Sequence, residues 1–230
     1  MLLSELKEYL AYGELSQLHP GALFTDDDQV AKLISHVNLG LIELYKRFPM
    51  KTSEVVIQLA QHITEYTIHS SKAESNMPLN GNPVYYYVKD SVYYPYRDDL
   101  LSIVEVFNED GMEIPLNDKN MRYSLFTTGH NVIQHPYPEN ENVITVVYKC
   151  IAPKLALDSP GETEVDIPAQ FIEPMLNYIT YRMFAAINMN SPEATNYYAK
   201  FEASCALINN LGLSHRPSNT NMRLENSGWV

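Results

Sequence analysis

Residues Ile167 to Leu211, IPAQFIEPMLNYITYRMFAAINMNSPEATNYYAKFEASCALINNL, read as two successive helices joined by a short break. Phe171, Met175, Ile179, Met183, Ala186 and Ile187 recur at steps of three and four, which puts them on one helical face. Asp166 is placed to cap the first turn, and Pro168 costs nothing where no intrahelical donor is needed. Pro174 interrupts this pattern, because inside a helix it removes a hydrogen bond, so a kink or a later start is expected. Ser191-Pro192-Glu193 restarts the helix in the same way. Ala194, Tyr198, Phe201, Cys205 and Ile208 then form a second face, and Gly212 offers a left-handed stop.

An earlier helix, Thr25 to Phe48, buries Val30, Leu33, Ile34, Val37, Leu41 and Phe48. Thr25 with Asp28 resembles a capping box, and Asp26, Asp27 and Asp28 suit the positive end of the helix dipole. A metal-binding role for these three carboxylates is disfavoured, since consecutive helical residues point in different directions. Lys46 and Arg47 occupy the negative end. Between this helix and the hairpin lies a region of β character, so the expected architecture is α+β, a helical bundle interrupted by an antiparallel β-domain. The expected divisions are a discontinuous helical domain, 1–50 and 165–212, a β-domain, 51–164, and an extended C-terminal arm, 213–230.

Within the β region, Val55, Ile57 and Leu59 alternate with polar neighbours, and Glu65 to Ile68 is expected to close a strand pair with them. Residues Ser70 to Pro83 read as a surface loop. Further strands are expected at Val84 to Val88, Leu101 to Phe107, Met112 to Leu116, Tyr123 to Phe126, Asn131 to His135 and Val143 to Ile151. The turn Asn108-Glu-Asp110-Gly111 is the clearest hairpin signal, with Asp110-Gly111 supplying positive dihedrals.

The chain has 230 residues, 45% of them apolar, with 17 tyrosines and a formal charge of −12. That composition suits one or two folded domains, and no run of eighteen apolar residues is available to cross a bilayer. A soluble protein without a membrane partner is therefore expected. The opening MLLSELKEYL carries charges among its leucines and reads as a short amphipathic helix, not an export signal. The acidic balance repels phosphate and argues against tight nucleic-acid binding, while leaving a polyanion free to slide past. Cys150 and Cys205 fit no metal or redox spacing and read as reduced core residues.

No catalytic, cofactor or metal site is expected. His62, His69, His130 and His135 lack partners at zinc-like spacing. Asp98 and Asp99, being adjacent before a strand, point to opposite faces, which defeats a two-carboxylate pair. There is no GxSxG elbow, P-loop or dinucleotide fingerprint. The strongest local oddity is the cluster Tyr85, Tyr86, Tyr87, Tyr93, Tyr94 and Tyr96. Cross-strand packing, a protein–protein contact and a glycan-binding platform each account for it. The polar segment Ser214 to Val230 lacks periodicity and ends in Trp229-Val230, which fits either a free tail or an arm that orders on a partner.

The order of these elements and several phrases resemble the head-to-tail adaptor proteins of tailed, particularly short-tailed, bacteriophages. The phrases are ITEYTI (63–68), LLSIVEVFNEDGMEIPLND (100–118), VITVVYKCIAP (143–153), DIPAQFIEPMLNYITYRMFAAI (166–187) and EATNYYAKFEASCALI (193–208). The resemblance implies a homo-oligomeric ring of twelve copies beneath the portal protein. It implies further that a next tail component, nozzle or tail tube, docks on the ring and that DNA passes through a channel without specific binding. The implied location is the virion's portal vertex, after assembly in the host bacterial cytoplasm. By the same analogy Ser214, His215, Arg216, Arg223, Trp229 and Val230 are candidate portal contacts. Tyr86, Tyr94, Tyr96, Tyr197 and Tyr198 are candidate contacts to neighbouring subunits or the tail. The alternative function is a receptor- or carbohydrate-binding module of a virion.

Overall fold

The structure, a computed structural model, describes residues 1–16, 24, 26–188 and 191–213. It is α+β, with four α-helices and two small antiparallel sheets among these residues. The chain divides into two compact units, one made of residues 1–50 with 154 onward and the other of residues 51–153.

In the helical unit, helix α1 (Leu3–Tyr9) buries Leu3 and Leu6 and runs into a π-helical turn, Leu10–Glu14. The N-terminal segment is tied to the loop before the hairpin by main-chain bonds, Leu3 N to Thr163 O at 3.0 Å and Val165 N to Met1 O at 2.8 Å. Helix α2 (Asp27–Arg47) buries Leu33, Ile34, Val37 and Leu41, as its periodicity requires, whereas Val30 is half-buried. Thr25, and with it the capping box, lies outside the described residues. The N-cap is Asp26, with no side-chain cap bond, and Asp28 instead meets Lys32 one turn on at 2.5 Å.

Helix α3 (Ile172–Ile187) begins later than a start at Pro168 would give. Pro168 is extended, with φ −65° and ψ 150°, and Ala169–Phe171 make a single 3-10 turn before α3. Pro174 consequently falls in the first turn, where the missing N–H has no intrahelical acceptor to lose. Asp166 is not a cap here; its carboxylate accepts from the Tyr45 hydroxyl at 3.2 Å. Phe171, Met175 and Ile179 are buried, but Ile187 at the far end is 71% exposed, so the apolar face expected from the spacing is shorter than six residues.

Helix α4 (Pro192–Asn210) is capped by Ser191, whose Oγ accepts from Ala194 N at 3.0 Å. It ends at Gly212, φ +67°, where Gly212 N donates to Asn209 O and Leu213 N to Ile208 O, each at 3.1 Å. These are the two bonds of a Schellman stop, which satisfies carbonyls left over at a helix end.

Contacts run from α2 to α3 and from α3 to α4. At Gly40 of α2 an added Cβ would stand 2.6 Å from Met175 Sδ and 3.3 Å from Tyr178 of α3. Mid-helix glycine costs about 1 kcal/mol relative to alanine, and here that cost is offset by the close approach it permits. Asn38 fixes the incoming loop to α2: its side-chain amide donates to Leu155 O and accepts from Leu155 N, both at 2.9 Å and buried.

The β unit holds a four-stranded antiparallel sheet in the order β3-β1-β7-β4 and a three-stranded one in the order β2-β6-β5. The strands are β1 (Thr52–Gln58), β2 (Glu65–Thr67), β3 (Val88–Lys89), β4 (Leu100–Phe107), β5 (Phe126–Gly129), β6 (Val132–Gln134) and β7 (Val143–Cys150). Val55, Ile57, Tyr66, Val106, Ile133, Val146 and Tyr148 join both sheets in one core.

Several strand expectations require correction. β1 and β2 do not pair: β1 lies between β3 and β7, and β2 pairs with β6. The Val84–Val88 run is mostly not strand, because Pro83 opens a 3-10 turn through Tyr85 that Asn82 caps by accepting from Val84 N. The 108–111 turn exists, yet only Gly111 takes a positive φ there, +76°, while Asn108 Oδ1 accepts from the amides of Asp110 and Met112. Its second arm makes two isolated bridges, Glu113 to Phe107 and Leu116 to Leu125, and no strand; Pro115 has no N–H to extend a ladder. The strand expected at Tyr123 starts instead at Phe126, after a turn closed by Ser124 N to Met121 O.

Two tyrosine hydroxyls fasten backbone to this core, one at Ala60 in a loop and one at Thr67, the last residue of β2. Tyr66 Oη accepts from Ala60 N at 2.8 Å and donates to Ala60 O at 3.1 Å, and Tyr87 does the same with Thr67 at 2.9 and 3.1 Å. Their rings meet edge-on at 5.1 Å. Tyr66 is fully buried, so Tyr66→Phe strands a buried amide. The expected loss is about 1–3 kcal/mol, read as a lowered denaturation midpoint of the β unit in the full-length chain; an unchanged midpoint would contradict this role.

Candidate interaction surfaces

The α3–α4 seam is aromatic from end to end. Phe184 stacks on Tyr197 with ring centroids 5.7 Å apart and planes 9° from parallel, Tyr181 meets Tyr198 at 5.1 Å, and Tyr178 meets Phe201 edge-on at 5.1 Å. Tyr197 and Tyr198 are successive residues and so take different sides of α4. Tyr197 turns inward: its hydroxyl donates to Glu14 O at 3.4 Å and Lys200 Nζ sits 4.5 Å from its ring centroid. Burial, followed by the nearby Glu14, pushes its phenol up to about 12. Tyr198 keeps 41% of its surface exposed and is the one of the two available to a neighbour.

One arginine closes the seam. The Arg47 guanidinium donates to both carboxylate oxygens of Glu202 at 2.8 Å, to Glu43 one turn earlier at 2.8 Å, and lies 4.7 Å over the Phe201 ring. A fork facing a carboxylate is the strongest common geometry for such a pair, and the ring shields one face of it from water. Arg47 and then Tyr198 hold the Glu202 carboxyl below its ordinary range. The Glu43–Arg47 spacing is visible in the sequence as an i,i+4 pair; Glu202, 155 residues on, is not.

In the β unit the tyrosine cluster separates by position. Tyr87 is buried; Tyr86 and Tyr96 are half-buried; Tyr85, Tyr93 and Tyr94 are exposed. Tyr96 packs edge-on to Tyr148 at 6.2 Å, and burial followed by Asp99 and Asp98 raises its phenol pKa. Asp90 shapes the intervening loop, accepting from Ser75 N and Oγ at 2.7 Å and from Tyr96 N at 2.9 Å. Burial raises the Asp90 pKa, but these donors outweigh it and leave it below the usual range. Asp98 accepts from Ser70, and Asp99 accepts from the Tyr148 hydroxyl at 2.9 Å, so each carboxylate has its own structural partner. Tyr94 and Tyr96 line a groove of about 380 Å³ with Pro95, Arg97, Glu54 and Tyr148.

The structure therefore brings Tyr94 and Tyr96 together, sets Tyr86 outside that groove, and places Tyr197 and Tyr198 on the other unit. The candidate portal contacts Ser214, His215, Arg216, Arg223, Trp229 and Val230 lie outside the described residues. Sequence reading missed Glu54, Arg97 and Tyr148 at the groove; the strand register brings Glu54 and Tyr148 to it, whereas Arg97 follows Tyr96 in the same loop. Among the described residues no cluster of three or more His, Cys, Asp or Glu is placed to hold a metal ion.

The chain is a member of the SU10 adaptor protein family, whose model matches residues 2–223. It is thus a bacteriophage adaptor with a structural role. A search of curated proteins gave no match.

Arg47→Ala removes the fork, the i,i+4 pair and the ring contact together. With the partly exposed partners discounted for solvent screening, the expected cost is about 1–2 kcal/mol, measured by urea denaturation. Glu202 has a folded pKa below its unfolded value, near 4.5, so its contribution is complete above that value and lost as pH falls through the depressed one. The difference between wild type and Arg47→Ala should shrink on acidification below about pH 4.5; a difference that stays constant with pH would refute the ion-pair origin.

Proposed function

We propose that this adaptor assembles as a ring of twelve copies beneath the phage portal and presents the platform on which the next tail component, a nozzle or tail tube, docks. The observation that carries this reading is the family match across residues 2–223. The exposed Tyr198 on the helical unit and the exposed Tyr93 and Tyr94 on the β unit support it, since each unit then offers a contact face of its own. The −12 charge supports a DNA channel without specific binding: repeated around a ring, acidic side chains repel the phosphate backbone and let it pass. Residues Ser214 to Val230, with Trp229 as the large apolar anchor, are the segment we assign to the portal.

The test is electron microscopy of the purified chain mixed with its phage's portal, with the chain alone as control. An added ring on the portal is the expected result. Residues 1–213 alone should keep the circular dichroism spectrum of the helices and lose portal attachment. Attachment unchanged by that truncation would remove the arm from the interface, and saturable binding to a host-surface glycan with no portal binding would replace the adaptor ring with the receptor-binding alternative.

A further inference from the structure

Main-chain direction alternates along β1. On its β7 side, Cys150 N donates to Lys51 O at 3.0 Å and Leu59 N to Asn142 O at 2.7 Å. Between these bonds the register Ser53↔Tyr148, Val55↔Val146, Ile57↔Ile144 is unbroken, so odd-numbered residues give their N–H and C=O to that ladder. Even-numbered residues face the opposite way. Gln58 N donates to Tyr87 O at 2.8 Å, and Val56 pairs with Lys89. There β3 ends, and the chain leaves through a turn closed by Tyr94 N to Ser91 O at 3.0 Å. The main-chain groups of Thr52 and Glu54 are left without a hydrogen-bond partner among the described residues. Beside this open edge lies the groove lined by Tyr94, Tyr96 and Arg97.

We propose that this edge is a strand-addition site, at which an extended segment of another protein continues the line of β3 and exchanges main-chain bonds with Glu54. An unpaired strand edge is a template for such pairing, and side-chain alternation sets its specificity. The residue opposite Glu54 shares its face, where the exposed Glu54 carboxylate has no ion-pair partner among the described residues, so a lysine or arginine fits there. The residue that pairs with Val55 turns to the other face, that of buried Val55 and Tyr148, and must be apolar, whereas the residue on the far side lies opposite the exposed Ser53 and is less constrained. The partner segment therefore reads apolar–basic in its own chain direction, opposite Val55 and then Glu54. This site is independent of the ring and portal reading, because it requires only the β unit.

The experiment is amide hydrogen exchange by NMR on the full chain, with the blocked heptapeptide Ser-Thr-Leu-Arg-Leu-Thr-Ser as probe and its Leu-Glu-Leu counterpart as control. In the free protein the Glu54 amide should exchange rapidly while Val55 is protected, and the Leu-Arg-Leu peptide should slow Glu54 at least tenfold. The Leu-Glu-Leu peptide should bind at least tenfold more weakly. Glu54→Pro deletes an N–H that the β7 ladder does not use, so Val55 stays protected and peptide binding is lost. Glu54→Lys, which keeps the N–H, should reverse the peptide preference. A Glu54 amide already as slow as Val55 in the free protein would mean that the chain itself or a second copy closes the edge, and would overturn the proposal. So would the absence of added protection at millimolar peptide, or equal binding of the two peptides.

Discussion

The helical unit depends on the burial of α3 from two sides. One side is reached by α2, whose Gly40 lets the backbones approach until Met175 and Tyr178 fill the gap; the other is reached by α4 through a run of ring contacts. The unit is assembled from segments far apart in sequence, and the costs of bringing them together are met by a few specific ties as well as by apolar burial. Asn38 receives the strand-like loop at Leu155, Tyr45 receives Asp166, and Arg47 receives Glu202. All three donors lie on α2, so one helix serves as the frame on which the returning chain is registered.

The β unit solves a different problem. Four of its seven strands have four residues or fewer, and long connections between strands must be held without a ladder. A phenol hydroxyl that both donates and accepts does this at Ala60, another holds the end of β2 at Thr67, and carboxylates hold Ser70 and Ser75. Buried main-chain groups need partners, and a side chain that satisfies two of them at once is an efficient substitute for a neighbouring strand. The tyrosine-rich stretch is accordingly split between inward members that hold loops and outward members that remain as surface.

Much of the helical anatomy was legible in the sequence. Ser191-Pro192 and Gly212 mark the ends of α4 by local chemistry alone, and the stripe from Leu33 to Leu41 follows from period. The position of Pro174 was legible as a conflict, and its resolution, a 3-10 turn followed by a later α-helix, is the physical outcome of that conflict. The β topology was not legible. Alternation identifies a strand but carries no information about which strand it pairs with, so the proximity of Glu65–Thr67 to β1 in sequence misled. Pro83 with Asn82 outweighed the β preference of three successive tyrosines, since a proline-started, side-chain-capped turn competes locally with a two-residue edge strand. The groove at Tyr94 combines residues from β1, β7 and a loop, and the β1–β7 register is the part that the sequence does not carry.

The two cysteines bear on the chemistry of the folded chain. Both are unbridged and buried, one in each unit. Burial pushes the Cys205 thiol up to about 11, which leaves only about one molecule in ten thousand as thiolate at neutral pH. Since the thiolate is the species that attacks disulfides and oxidants, the same packing that stabilises α4 also withdraws this side chain from thiol exchange.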